Sequence, residues 1–497
     1  MLINFLWIIF NLITPLNPKE NSTIAEKVYA NLWYTIGEME TNPPVLEIRN
    51  SMNCVASYIP NENKIIIETK ALDVIRSFGP DSLNALAFIL SHELVHFLQK
   101  QVEGDHTSNF LSYDVGGALS HRAEKQADIQ GSFIAYLSGY KTTHLIGSLL
   151  EKLYAAYDLT DKTLYGYPSL NERQFSGEEA MEKAEELIYL NDAANYLSIS
   201  GNYSEAAAAY NYILKFYPGP DIYHNLGVQY IEEALHLSDH NIDRFIYPTE
   251  LDPQTRLKKP FKHDGVKSLD ILSTIKRANL LQDAQNAFES ALKRDSSRGT
   301  HHLHLLITLC LSEQLEKASK YYHSLPESIR NQKETKWEFE WIFGIIEALS
   351  GNEISAKNAF SIIIRDAPAE YTQIANINRH LVNLKASGPL LKDYSCPLKP
   401  AKDVLSNKSI QFSISLEDSK NTLFGYVVDH HNKILCLSNQ DKYVKFYEFP
   451  PKKFTTQINS LPVMKKGKLD FYHNRDDQVI YVVDSSLSIL TEIYYIK

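Results

Sequence analysis

Apolar and polar positions follow three successive regimes along the chain. Between about Pro18 and Glu185, helical periodicity is interrupted by two β-prone runs, "NCVASYIP" and "KIIIETKAL", on either side of the polar turn "NEN". That arrangement predicts a strand pair. The next stretch, "GPDSLNALAFILSHELVHFLQKQ", places Leu83, Leu86, Leu90, Leu94 and Phe97 at three- and four-residue intervals, the stripe of an amphipathic helix. Pro80 and the cap candidate Asp81 mark its start. "HRAEKQADIQGSFIAYLSGY" (His121 to Tyr140) predicts a second such helix, with Ala127, Phe133 and Tyr136 on its apolar side.

From about Glu186 to Lys385 the pattern is helical and repeats. In "SGNYSEAAAAYNYILKFYP" Ala206, Tyr210 and Pro218 follow Gly201 at the same offsets as Ala356, Phe360 and Pro368 follow Gly351 in "SGNEISAKNAFSIIIRDAP". This resembles the tetratricopeptide repeat, in which small residues let paired helices approach and a proline ends the second helix. Leu226, Gly227 and Tyr230 supply a matching first helix, and Ala284, Phe288 and Ala291 a matching second. A weaker copy uses Leu305, Ala318 and Tyr322. An insertion near 236–274, with Pro248, Pro253, Pro260 and Gly265, is expected to loop out of the array. Beyond the Pro/Gly/Lys-bearing linker 386–408, six short runs ("SIQFSIS", "TLFGYVVD", "KILCLS", "YVKFYEF", "KLDFYH", "QVIYVVD") predict a small β domain over 409–497.

Composition narrows the function classes. At 497 residues the chain exceeds one ordinary core, so a multidomain protein is expected. A net charge of −10 leaves no basic field for nucleic acid. Four cysteines are too few for a disulfide scaffold. Cys54 and Cys310 lie in apolar surroundings and read as inert, while Cys396 and Cys436 share one region and can pair in an oxidising compartment. The apolar run in segment 1–17 suits a signal-peptide core and is short for a membrane span. An uncleaved N-terminal anchor and a buried first helix are the other readings, since no Lys or Arg precedes the run. No later segment has the length and apolarity of a membrane span.

The candidate chemistry lies in "SHELVHFLQK". His92 and His96 stand four residues apart on one helical face, so both imidazoles can converge on one ion. Glu93 is badly placed to ligate beside His92 but can reach a metal-bound water and take its proton. The competing reading is a polar edge on a core helix. A catalytic zinc site needs a third protein ligand and an open position. Glu124 is the candidate third ligand, and Asp128, one turn on, can fix a ligand imidazole by hydrogen bonding. His121 is the rival third ligand, and a solvated charged face with Arg122 and Lys125 is the plainer alternative.

"HELVH", with "EKQAD" beginning 28 residues after its second histidine, resembles the HtpX and CAAX-prenyl-protease type of zinc metallopeptidase, among the gluzincins. The resemblance covers roughly Pro44 to Arg173. It implies an α+β zincin-like domain over 18–185, one Zn2+ per chain held by His92, His96 and Glu124, Glu93 as base and Asp128 as support. It offers no precedent for His121 as a ligand. The strand pair resembles the edge strand to which that family's peptide substrates add. In "YPSLNERQ" the family's usual histidine is replaced by Tyr167, while Pro168, Glu172 and Arg173 are kept. Tyr167 is therefore a candidate oxyanion contact or an ordinary packed tyrosine, and Arg173 a candidate for orienting the site or a substrate carbonyl. A peptidase domain followed by a tetratricopeptide array over 186–385 is similar in plan to periplasmic BepA-type proteases. That plan implies an exported protein acting in envelope protein quality control on peptide or unfolded-protein substrates, with the repeats recruiting substrate or a protein partner. The alternative is a catalytically latent chaperone or scaffold.

Overall fold

The computed structural model describes residues 18–37, 42–50, 54–103, 108–112, 121–160, 169–200, 203–237, 245–249, 271–382 and eight strands between 410 and 494. Segment 1–17, the linker 386–408, Tyr167, Cys396 and most of the 236–274 insertion lie outside the described residues. Of His121 and Cys436 only the backbone is described, so the Cys396–Cys436 pairing falls outside them too. The described chain is mostly helical, with a small sheet near its N-terminus and an antiparallel sheet near its C-terminus. Among the described residues no helix is long and apolar enough to cross a membrane. The chain divides into two compact units, Met1–Tyr189 and Leu190–Lys497.

The first unit opens with α1 (Pro18–Ile36) and continues through β1 (Val45–Arg49), β2 (Cys54–Ile59) and β3 (Lys64–Glu68). β2 and β3 form the expected antiparallel pair, with Ala56 opposite Ile67 and Tyr58 opposite Ile65. A 3-10 turn, Pro60–Glu62, links them, and Asn63 closes it in the left-handed region at φ 47°. The strand ends sooner than "KIIIETKAL" suggests. Thr69–Arg76 is a helix, α2, because Ala71, Leu72 and Ile75 bury one face at helical rather than alternating spacing.

Two further strands complete the sheet in the order β1–β3–β2–β4. β1 runs parallel to β3, with Val45 opposite Lys64 and Arg49 opposite Glu68. β4 (Ser108–Ser112) runs antiparallel to β2, with Tyr58 opposite Ser108, Ala56 opposite Phe110 and Cys54 opposite Ser112. The strand pair read as an edge is therefore the interior of the sheet, and β1 and β4 are its edges. Burial agrees: Cys54 to Tyr58 and Ile65 to Ile67 are all buried, as continuous apolar runs in inner strands require.

Behind the sheet runs α3 (Ser82–Glu103), preceded by the 3-10 turn Gly79–Asp81. It is more than a stripe. From Ala85 to Phe97 every residue is buried, because α1, α2, β2 and α4 (His121–Leu137) close around it. A helix buried on all sides is a core element. Its polar residues Ser91, His92, Glu93 and His96 therefore lie inside the protein. α5 (Ile146–Ala156) packs on α2, and α6 (Leu170–Ser200) runs across the boundary between the units.

The second unit contains α7 (Tyr203–Ile213), α8 (Pro220–His236), α9 (Ile271–Leu292), α10 (Gly299–Leu311) and α11 (Leu315–Ser324). It continues with the short α12 (Glu327–Arg330), then α13 (Lys336–Leu349), α14 (Glu353–Asp366) and α15 (Ala369–Leu381). Successive helices pack on one another: α7 on α8, α8 on α9, α9 on α10, and α13 on α14. One device recurs. A Cβ on Gly227 of α8 would lie 2.6 Å from the Phe288 ring of α9, and a Cβ on Gly344 of α13 would lie 2.9 Å from the Phe360 ring of α14. Each glycine lets a buried phenylalanine press against a helix backbone.

The insertion does not wholly loop out. Phe245 and Tyr247 are buried, and Ile246 is tied to two helices. Its N–H donates to Asn378 Oδ1 at 2.9 Å, while its carbonyl accepts from Asn378 Nδ2 at 2.9 Å and Trp341 Nε1 at 2.8 Å. A chain segment entering a core must have its backbone groups satisfied, and these side chains do so. The described C-terminal strands are β5 (Ile410–Ser415), β6 (Thr422–Val427), β7 (Ile434–Asn439), β8 (Lys442–Lys453), β9 (Met464–Lys466), β10 (Leu469–Asn474), β11 (Val479–Asp484) and β12 (Ser488–Tyr494). They form one antiparallel sheet in the order β5–β6–β7–β8–β12–β11–β10–β9. Two four-stranded meanders meet where β8 (Lys442–Lys453) pairs with β12. Sequence pattern had missed β9 (Met464–Lys466), which is only three residues long, and β12, whose "SILTEIY" mixes polar and apolar positions.

Candidate metal centre

α3 and α4 touch at their backbones, and the centre lies where they meet. A Cβ on Gly131 would lie 2.9 Å from the backbone nitrogen of His92 and 3.1 Å from its Cα. No side chain larger than hydrogen fits there without pushing the helices apart. Gly131 is three residues beyond Asp128, so this contact brings the Glu124/Asp128 face of α4 against the His92/His96 face of α3.

His92 Nε2 lies 3.0 Å from His96 Nε2 and 3.4 Å from Glu124 Oε2, while His96 Nε2 lies 3.3 Å from Glu124 Oε1. These three residues, each offering one ligand atom within 4.8 Å of the others, can hold a metal ion. The donor chemistry fits a cation. Both carboxylate oxygens of Glu124 are buried and accept no hydrogen bond among the described residues, the kind of orphaned acceptor pair that a positive charge satisfies.

Charge in the pocket is balanced without solvent. Burial raises the Glu124 carboxyl pKa, but the facing His92 and His96 outweigh it and hold the group well below its ordinary range. Burial likewise opposes a charged His92, yet its contacts with Asp128 and Glu124 push its pKa up to about 10.

Around the three residues stand groups that aim them. His92 Nδ1 is 2.9 Å from Asp128 Oδ1. Asp128 is also gripped by Arg173, whose Nη2 donates to Oδ1 at 2.8 Å and whose Nη1 donates to Oδ2. Burial raises the Asp128 pKa, but the Arg173 guanidinium and His92 hold it below the usual carboxylate value. Arg173 reaches this position through a capping box at the start of α6. Glu172 Oε2 accepts from the Ser169 N–H at 2.8 Å, and Ser169 Oγ accepts from the Glu172 N–H at 3.4 Å. Arg173 is buried, and its guanidinium is held against Asp128.

Glu93 points to the sheet. Its Oε2 accepts the Tyr58 N–H of β2 at 2.7 Å. His96 is held from its other side, with Nδ1 2.9 Å from Gln99 Oε1, and Gln99 Nε2 donates to the Ala123 carbonyl at 3.2 Å. Gln99 therefore fixes the His96 ring and ties α3 to the residue before Glu124.

The structure thus brings together His92, Glu93, His96, Glu124, Asp128 and Arg173, while Tyr167 and the His121 side chain lie outside the described residues. Sequence reasoning missed Gln99 and Gly131. Gln99 lies one turn after His96, a spacing that could have flagged it, and Gly131 is the single glycine within the helical pattern of α4. Gln99→Leu is expected to weaken metal affinity about 10–100-fold while leaving the fold intact, as measured by competition with a chromophoric chelator. Unchanged affinity would remove Gln99 from the site. The chain matches no protein-family model, and no curated protein matches it.

Proposed function

We propose that the chain is a zinc-dependent endopeptidase. The observation that carries this reading is the convergence of His92, His96 and Glu124 on one point, with Glu93 next to His92 on α3. Two imidazoles and one carboxylate form a donor set of catalytic zinc, which keeps its fourth position open. Around a tetrahedral ion with ligand bonds of about 2.0–2.1 Å, ligand atoms lie about 3.3–3.4 Å apart. The observed separations of 3.0, 3.3 and 3.4 Å support that geometry.

Zinc, when bound, acidifies water and polarises the scissile carbonyl. Glu93, held at Oε2 by the Tyr58 N–H, takes the proton of the attacking water and returns it to the leaving amine. Asp128 holds the His92 ring through Nδ1, and Arg173 holds Asp128. The helices of the second unit are read as a tetratricopeptide-type array recruiting an unfolded substrate or a protein partner. The buried pairs Ala206/Tyr210 and Ala356/Phe360, at equal offsets, and the recurring glycine–phenylalanine contacts support this. The C-terminal strands are read as a separate small domain. Export to the periplasm or envelope, and a role in protein quality control there, rest on segment 1–17 and the resemblance to BepA-type proteases.

A second reading, a latent chaperone that binds clients without cutting them, is favoured by one observation: Glu93 is 0 % exposed. The two readings part on a simple assay. Purified protein is expected to cleave unfolded casein, to stop when stripped with a chelator, and to resume with added zinc. Cleavage that persists without metal rules the mechanism out, and client binding without cleavage favours the chaperone.

A further inference from the structure

Two observations meet at β2. The Tyr58 N–H is given to Glu93, so at that residue the strand turns its hydrogen-bonding edge toward the base. Pairing with β4 begins opposite the same residue, at Ser108, and continues through Asn109 and Phe110 to Ser112. β3 takes the other side of β2. A peptide that adds to β2 as a strand beside Glu93 must therefore take the place that β4 occupies. The second observation is that Glu93 and His92 are both fully buried.

We propose that β4 is an internal occupant of the substrate edge, and that hydrolysis requires its release from β2. The proposal rests on the peptidase reading and specifies its regulation. In the paired form the chain is latent. A signal, or a client that outcompetes a five-residue strand, frees the β2 edge and admits an extended peptide to Glu93. The apparent affinity for peptide is then reduced by the fraction of molecules in which β4 is released.

Two variants of the full-length chain test this in opposite directions. Consecutive strand residues direct their N–H groups to opposite sides, so Asn109→Pro with Phe110→Pro removes at least one rung of the β2–β4 ladder. In the other direction, Cys54 is a free thiol opposite Ser112. Opposite residues of an antiparallel pair have Cα atoms about 4.5–5.5 Å apart, within disulfide range. Ser112→Cys, oxidised with diamide and checked by peptide mapping, locks β4 in place.

Binding of a fluorescently labelled unfolded casein peptide is read by anisotropy in a Glu93→Gln background, and cleavage is read in the parent. The proline variant is expected to bind at least tenfold tighter and cleave at least tenfold faster. The locked form is expected to lose at least tenfold in both, with recovery on reduction by a phosphine. A locked form that binds and cleaves like its reduced counterpart overturns the latch, even where the proline variant fails to fold. Zinc content measured on the same samples separates the two ideas. Peptide binding that follows the lock in a chain holding no metal supports the latch and removes the peptidase reading. Zinc-dependent cleavage indifferent to the lock does the reverse.

Discussion

On the proposed peptidase reading, Glu93→Gln is expected to keep the metal and to lower peptide hydrolysis by about 10²–10⁴-fold, the range of a lost general base. The substitution is close to isosteric, and the amide oxygen can still accept the Tyr58 N–H that the carboxylate accepts now at 2.7 Å. Glu93 is not one of the three residues that converge on the ion site, so metal affinity has no reason to change. The chemical loss is specific. An amide at pH 7 cannot take the proton of the attacking water, whereas a carboxylate can. Initial rates on unfolded casein at matched zinc content measure the effect. Because the latch lowers the parent rate as well, the comparison is cleanest with the β4 ladder broken in both proteins. An unchanged rate would end the proposed role of Glu93.

Arg173→Met is expected to cause a large loss of stability. Arg173 is 1 % exposed, and both its Nη atoms donate to the buried Asp128. Removing one member of a buried ion pair leaves the other charge without compensation, at a cost of about 3–5 kcal/mol. Asp128 would keep only His92, and the imidazole would lose the fixed carboxylate that aims its Nε2. Urea unfolding followed by circular dichroism should show the earlier transition. Combining Arg173→Met with Asp128→Leu removes both charges and is expected to recover most of the stability. It should not recover metal affinity, because His92 still lacks its partner. If the single variant is as stable as the parent, the bidentate contact is not holding the helices together.

The candidate centre was legible because the residues that could hold an ion obey the periodicity of one element each. His92 and His96 are four apart on α3, and Glu124 and Asp128 are four apart on α4, so spacing alone put each pair on one face. What joins the faces is not periodic. Gly131 reads as a weak helix position, and only the approach of the His92 backbone shows why it is there. Arg173 carried a motif but no partner, since its contact with Asp128 crosses 45 residues.

The sheet was half legible. β2 and β3 are apolar runs around a polar turn, but β1 joins in parallel and β4 is the polar "SNFLS", which has neither alternation nor aliphatic bulk. Missing β4 turned an interior strand into an apparent edge. In the second unit, the offsets that placed Ala206 with Tyr210 and Ala356 with Phe360 were visible in sequence, and all four are buried. The seating of Phe288 against Gly227 was not, because the insertion separates them in the chain. Nor was the return of Ile246 to Trp341 and Asn378, which depends on single side-chain hydrogen bonds.

The most direct measurement is the zinc content of the purified full-length chain, set beside that of Glu124→Ala and Glu93→Gln. The site predicts one zinc per chain in the parent and in Glu93→Gln, and loss of the metal in Glu124→Ala. A parent without zinc, or a Glu124→Ala chain that keeps its full complement, would contradict it.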